Sequence, residues 1–187
     1  MMRLVIFVRI LHRRLARLAR DQRGVSAIEF ALLLPLMVML YLGTVEISQG
    51  INVDRKVTLT ARTVADLVSQ APSITNLAMI DILNASSTVM TPYLTSKLRV
   101  TVSSVTIDAK GKATIAWSDT LNGTTRAVGS AVALPSALAV PNTSVIWAEA
   151  QYDYKPTIGY VITGTLTLKD QLFMSPRLST SVVRTAT

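Results

Sequence analysis

The sequence contains no cysteine and only one histidine, His12, and these two absences exclude much of the common chemistry of enzyme sites. Without cysteine there can be no disulfide framework, thiolate nucleophile or zinc–thiolate site. With its one histidine among the first 24 residues, the rest of the chain can build neither a Ser-His-Asp triad nor a histidine metal site. Walker and dinucleotide-binding glycine motifs are also absent. The sequence therefore predicts a protein that is not an enzyme and needs no metal or cofactor.

Paired carboxylates are the remaining route to catalysis, and the best candidates are Glu149 and Asp153. They lie four residues apart in a predicted strand, which places them on one face about 13 Å from each other. That separation is too large for a catalytic acid pair. A solvated strand face is the better interpretation of these two residues.

Charge is scarce in this chain and is unevenly placed. Residues 1–24 contain seven arginines and one aspartate, which supplies +6 of the formal net charge of +8. The remaining residues carry twelve basic and ten acidic side chains, a net charge of +2. A basic excess confined to a short N-terminal segment is typical of a membrane-orientation signal. We therefore expect no nucleic acid partner.

An apolar segment of 21 residues, 25–45, follows the basic segment. As a helix it would be about 30 Å long, which matches the hydrocarbon core of a bilayer. The arginines before it and Glu46 after it predict a cytoplasmic N-terminus, with the rest of the chain on the far side of the membrane. Its end lacks the small-x-small pattern of a secretory signal peptide. We thus expect a basic leader at 1–24 and a transmembrane helix at 25–45.

Glu29 is anomalous because it places an ionisable group in this apolar helix, at a cost of about 2.5–3.5 kcal/mol near the bilayer centre. Cleavage between Gly24 and Val25 would create an α-amino group four residues before it, about 6 Å away along the helix axis. The same amine on a neighbouring chain could pair with Glu29 instead and so fix the register between subunits. The alternative is an uncleaved anchor in which Glu29 reaches the headgroup region.

The segment from Arg23 to Leu32 reads RGVSAIEFAL and precedes an apolar run that contains Pro35. It resembles the N-terminus of TadE-like proteins, which are pilin-like components of the tight adherence (Tad, or Flp) pilus system. The resemblance extends from Gly24 to about residue 62. It implies that a prepilin peptidase cuts after Gly24, so that Val25 becomes the N-terminus and Glu29 the fifth residue of the mature chain.

The resemblance implies a minor pilin or pseudopilin that assembles through its N-terminal helix after cleavage. Its expected partners are other pilins or pseudopilins, the prepilin peptidase, an inner-membrane assembly platform and the lipid bilayer. Small residues allow helices to approach closely in a membrane, so the expected packing surface comprises Ser26, Ala27, Ala31 and Leu34. The alternative is an uncleaved single-pass anchor or scaffold of the same machinery.

Beyond residue 45 the pattern predicts an amphipathic helical extension at 46–71 and then a periplasmic α+β domain at 72–187. Valine and alanine recur at helical spacing from Val53 to Val68, and Pro72 ends that pattern. A short helix is expected at about 76–90. Alternating apolar residues predict a hairpin from residue 97 to 117, with a bulge at Ser103-Ser104, and further strands at 146–154, 160–168 and 178–184. Residues 122–142 are expected to form a long loop. The predicted fold class is α+β, a long N-terminal pilin-like helix followed by an antiparallel sheet.

The large aromatic side chains of the outer domain include two tryptophans, Trp117 and Trp147. Core packing is the favoured role for both. Because Trp147 lies on the polar side of its predicted strand, it is the better candidate for an exposed side chain at a protein interface.

Overall fold

The computed structural model describes residues 23–156, 158, 159 and 163–185. Most of the predicted leader, residues 1–22, therefore lies outside the described residues. The chain divides into two compact units, Met1–Val45 and Glu46–Thr187. Two helices and six strands are described, in the order α1 Arg23–Ser69, β1 Ser73–Ile74, α2 Asn76–Ser87, β2 Leu98–Ile107, β3 Ala113–Leu121, β4 Ser144–Tyr154, β5 Leu166–Met174 and β6 Val183–Arg184.

The second unit is built on the amphipathic part of α1. Its buried side chains recur every three or four residues and include Val53, Val57, Ala61, Val64 and Val68, each at most 1% exposed. Full burial of a side chain of valine size contributes roughly 1.5–3 kcal/mol. The helix ends at Ser69, three residues before Pro72, because the residue before a proline is disfavoured in helical conformation. Of the helical extension predicted at 46–71, the structure has helix as far as Ser69.

Four strands form an antiparallel sheet in the order β3-β2-β4-β5. One side of it, here called the inner face, packs against the buried stripe of α1 in a single hydrophobic cluster. Alternate residues of β4, from Ile146 to Tyr154, belong to that cluster, while Trp147, Glu149, Gln151 and Asp153 lie on the opposite, outer face. The α+β prediction, a long helix followed by an antiparallel sheet, is confirmed.

The irregularity predicted at Ser103-Ser104 of β2 lies next to that position, but the extra residue is in the partner strand β3. Ser104 pairs with Trp117 and Val105 pairs with Ile115, so Ala116 of β3 has no counterpart in β2. The register of β2 with β4 is continuous here, so Val105 and Ile107 lie on the outer face, where they form a second small cluster with Ala113, Ile115 and Val145. Val132 and Leu134 from the loop at 122–142 cover that cluster. The loop, predicted from composition, thus contributes to the core.

Two strand predictions were wrong in position. The strand expected at 160–168 begins only at Leu166 and continues to Met174, with residues 163–165 outside it; Tyr160 and Ile162 lie outside the described residues. The strand expected at 178–184 is reduced to Val183–Arg184, which pairs in parallel with Ser73–Ile74. Both errors occur where the pairing is peripheral, at the edge of a sheet or in a two-residue bridge.

The short helix expected at about 76–90 is observed as α2 with a 3₁₀ turn at Thr88–Met90. Its sequence lacks a capping box, but Thr75 caps it: the Thr75 hydroxyl accepts a hydrogen bond from the Ala78 backbone N–H at 3.1 Å. Such a cap contributes typically about 1 kcal/mol. Met79 and Leu83 on the buried side of α2 join the inner cluster.

Candidate functional site

The first part of α1 is a continuous apolar surface. Every residue from Gly24 to Tyr41 is exposed, including Leu32 at 73% and Tyr41 at 68%. This helix has a stretch of mean hydropathy 2.1, with none of the stretch buried, and is the one helix among the described residues long and apolar enough to cross a membrane. A contiguous apolar surface of this extent requires a cover of lipid or protein.

The predicted cleavage site lies in α1. Both Gly24 and Val25 have helical backbone. Among the described residues, a Cβ atom added at Gly24 would meet nothing within 4 Å, and Gly24 is not among the glycines of positive φ. Neither space nor backbone conformation therefore requires glycine at this position.

The other predicted assembly residues divide between two sides of the helix. At about 100° per residue, Ala27, Ala31 and Leu34 form one stripe, with spacings of four and three. Ser26 and Glu29 are three residues apart and lie on a different side. Small side chains on the first stripe leave room for close approach of a second helix.

Glu29 is exposed and takes no part in the salt bridges of the described residues, all of which involve acidic side chains from Asp66 onward. It lies 12 residues before Tyr41, well inside the exposed apolar stretch. In water this arrangement costs little, but in hydrocarbon the carboxylate would need a positive partner. In a membrane, Glu29 would therefore be the position on this surface that needs a positively charged partner.

Trp147, the predicted interface residue, lies on the outer face as expected but is half-buried. Its ring stacks on Phe173 with centroids 5.6 Å apart, and the guanidinium carbon of Arg126 lies 3.4 Å from the ring centroid. The indole N–H donates to Gln171 Oε1 at 3.1 Å. The ring is thus partly covered by residues of its own chain. Trp117 packs against the inner cluster, and its indole N–H donates to the Val182 carbonyl at 2.7 Å.

Arginine pairing on the outer face is the main feature that the sequence did not reveal. The solvated strand face expected for Glu149 and Asp153 instead carries two ion pairs, Arg126–Glu149 at 2.5 Å and Arg99–Asp153 at 2.8 Å. Arg126 also donates to Ser103 Oγ at 2.9 Å. Burial lowers the pKa of the Arg126 guanidinium, and the charge and hydrogen bond of Glu149 act in the opposite direction. The partners lie 23 and 54 residues apart in sequence, so no local pattern signals them.

Two tyrosine hydroxyls lie in the inner cluster. Burial is the largest cause of the raised pKa of Tyr152, whose hydrogen bond with the Leu94 backbone acts in the opposite direction. Burial also raises the pKa of Tyr154, and the nearby Tyr93 and Glu46 raise it further. Within the described part of the chain, no three of the side chains of His, Cys, Asp and Glu are grouped so as to hold a metal ion.

Comparison with known proteins finds a family resemblance, and it lies within α1. Residues 24–66 match the family model of TadE-like proteins. The TadE-like segment begins at Gly24, includes the whole exposed apolar surface and ends within α1. Together with the apolar helix, this match fits a protein associated with the Tad pilus and anchored in a membrane. Neither a curated protein nor a solved structure matches the chain.

Proposed function

We propose that this protein is a minor pilin or pseudopilin of the Tad (Flp) pilus, which assembles through its N-terminal helix after a prepilin peptidase has cut between Gly24 and Val25. The observation that carries the proposal is the coincidence of the TadE-like segment with the exposed stretch from Gly24 to Tyr41. The described residues leave this surface uncovered, and other pilin helices and lipid would provide its cover. The protein acts by assembly, without catalysis.

Gly24 supports the cleavage step. A glycine that folding does not require, at the first residue of the TadE-like segment, fits selection by a peptidase that reads the backbone at that point. A side chain at this position would be accommodated by the helix. Recognition by a peptidase would explain why this position has no side chain.

Glu29 supports assembly with a defined register. Cleavage after Gly24 would place a new amine one helical turn from the carboxylate, within the same chain or, with an axial stagger, on a neighbour. A buried ion pair contributes little to stability because desolvation offsets its Coulomb energy, but it discriminates between registers. The stripe of Ala27, Ala31 and Leu34 then supplies the packing surface, since lipid gives no hydrophobic drive between helices.

The proposed location is the bacterial inner membrane, with a cytoplasmic N-terminus, a periplasmic sheet unit and, after assembly, a place in the pilus. The partners are other pilins or pseudopilins, the prepilin peptidase, the inner-membrane assembly platform and the bilayer. The arginine-rich flank before residue 25 supports this orientation, since basic residues remain on the cytoplasmic side. The nearly balanced charge of the remaining chain gives no reason for a nucleic acid partner.

N-terminal sequencing of the membrane-fraction protein tests the cleavage. We expect a mature N-terminus at Val25, and we expect Gly24→Val to retain the full leader because the added side chain blocks the peptidase. The control is Ser48→Ala on the same helix, which should be processed normally. A native protein that begins at Met1 or Met2 would establish the uncleaved anchor instead.

Incorporation into sheared pili tests the role of the carboxylate. We expect Glu29→Gln to be present in the membrane and largely absent from pili, because an amide cannot neutralise the new amine. Asp54→Asn, which removes an exposed carboxylate further along the same helix, is the matched control. Equal incorporation of both variants and the native protein would contradict the pairing.

A further inference from the structure

A polar cleft lies on the outer face of the sheet, on the side opposite α1. Its volume is about 440 Å³, within the range of roughly 300–1,000 Å³ that is usual for ligand sites. The floor is made by Arg99 and Thr101 of β2 with Glu149 and Gln151 of β4, and one wall by residues 122–126 of the loop after β3. None of the described residues that line the cleft is aliphatic or aromatic.

The wall of this cleft is held by unusual local geometry. Asn122 has a positive φ of 53°, a conformation that few residues other than glycine adopt readily. Its side-chain amide donates to the carbonyls of Thr95 and Leu98, at 3.3 and 3.0 Å, which fixes the start of the loop. At Gly123 an added Cβ would lie 2.7 Å from Thr120 Oγ1, so any larger residue would displace the wall.

The charged groups of the cleft are held in place by contacts within the chain. Arg126 is oriented by three contacts together, with Glu149, Ser103 and the Trp147 ring. Arg99 is paired with Asp153, whose carboxylate also accepts a hydrogen bond from the Thr167 hydroxyl at 3.0 Å. A ligand would therefore meet oriented groups and would not have to order them, which lowers the entropic cost of binding.

The balance of charge indicates the kind of ligand. Each of the two arginines is paired with its own carboxylate, Glu149 in the lining and Asp153 just outside it, so this group of four side chains has no excess charge. The cleft still offers hydrogen-bond donors on the guanidinium groups and acceptors on the Glu149 carboxylate, with Gln151 and Thr124 able to provide both. An anion or a cation would gain little binding free energy there, and an apolar ligand would leave these polar groups without hydrogen bonds. A neutral ligand rich in hydroxyl groups matches all of them.

We propose that this cleft binds a neutral glycan, through hydrogen bonds to Arg99, Arg126, Glu149 and Gln151. The ligand is either an amino-sugar polymer of the cell-wall type or a neutral hexose polysaccharide, which present the same hydroxyl chemistry. The site is independent of the apolar helix and of its processing. Such binding would let the sheet unit contact polysaccharide without contributing to filament packing.

The test is a titration of the full chain in a detergent without a sugar headgroup, followed by saturation-transfer NMR and calorimetry. The probes are the N-acetylglucosamine tetramer, maltotetraose and, as the anionic comparison, tetragalacturonate. We expect one of the two neutral tetramers to bind, and which one binds identifies the class of polysaccharide. Tetragalacturonate should bind at least tenfold more weakly, about 1.4 kcal/mol.

Two glutamine variants locate the binding. Gln151→Ala should weaken the binding of the neutral tetramer about tenfold through the loss of a paired hydrogen bond. Gln49→Ala, an exposed glutamine of α1 outside the cleft, should leave it unchanged. Circular dichroism verifies that both variants are folded. The proposal is overturned if neither neutral tetramer binds, if tetragalacturonate binds as tightly, or if the two variants have equal effects.

Discussion

Replacement of Arg126 by alanine should destabilise the sheet unit far more than loss of an ordinary surface arginine. Arg126 fastens the loop at 122–142 to the outer face through Glu149, Ser103 and the Trp147 ring, and its side chain is only 16% exposed. The cation–π contact contributes about 0.5–2 kcal/mol, the hydrogen bond to Ser103 about 1 kcal/mol, and the partly exposed ion pair at most about 1 kcal/mol. We expect a total loss of roughly 2–3 kcal/mol.

The measurement is thermal unfolding of the full chain in detergent, followed by tryptophan fluorescence and near-ultraviolet circular dichroism. For a chain of this size, a loss of 2–3 kcal/mol lowers Tm by about 5–10 °C. Trp147 emission should also shift to longer wavelength, because the guanidinium no longer covers the ring.

Arg99→Ala is the matched control. Arg99 makes a similar ion pair with Asp153, but its side chain is 38% exposed and it has no ring contact among the described residues. Its loss should cost less than about 1 kcal/mol. If the two variants have the same Tm, the assignment of a fastening role to Arg126 is wrong. Arg126→Lys should fall between Arg126→Ala and the native protein, since an ammonium retains the charge but not the planar stacking.

Two further substitutions should stabilise the protein, because each removes a buried hydroxyl that has no hydrogen-bond partner among the described residues. Ser104→Ala should raise the free energy of unfolding by about 1 kcal/mol in urea titration, and an unchanged or lower midpoint would show that the hydroxyl is satisfied. Tyr154→Phe should have a similar effect at neutral pH. Because burial raises the pKa of Tyr154, the native protein binds its phenol proton more tightly than the unfolded chain does. The resulting stability is fully present below the unfolded pKa of about 10 and is lost as the pH rises through the higher folded pKa. Tyr154→Phe should therefore reduce the alkaline loss of stability, and identical pH profiles of the two proteins would refute the argument.

Local periodicity was sufficient to predict the elements whose apolar face is fully buried. The stripe on α1 and the alternation in β2 and β4 each repeat for several residues against a continuous core, so burial and sequence have the same period. The change at Ser103-Ser104 also left a signal in the sequence, because the apolar side chains of β2 pass there from the inner to the outer cluster.

Periodicity failed where burial is incomplete. Strand β5 carries Lys169 and Asp170 at its centre and has only half-buried or exposed residues, so its alternation is weak. Charges on an edge strand discourage pairing with other chains. The same charges interrupt the apolar alternation from which a strand is predicted. The outer-face cleft depends on two ion pairs whose partners are far apart in sequence, one between β2 and β4 and one between β4 and a loop. A single sequence does not specify such pairs.

The parallel contact between β1 and β6 has a consequence for the order of folding. It joins Ser73 to Val183 and is strengthened by Arg184, which pairs with Asp119 at 2.8 Å and donates to the Ile74 carbonyl. Closing so long a stretch of chain is entropically costly until the intervening sheet has shortened the effective loop. We therefore expect the carboxyl-terminal segment to dock only after the four-stranded sheet has formed.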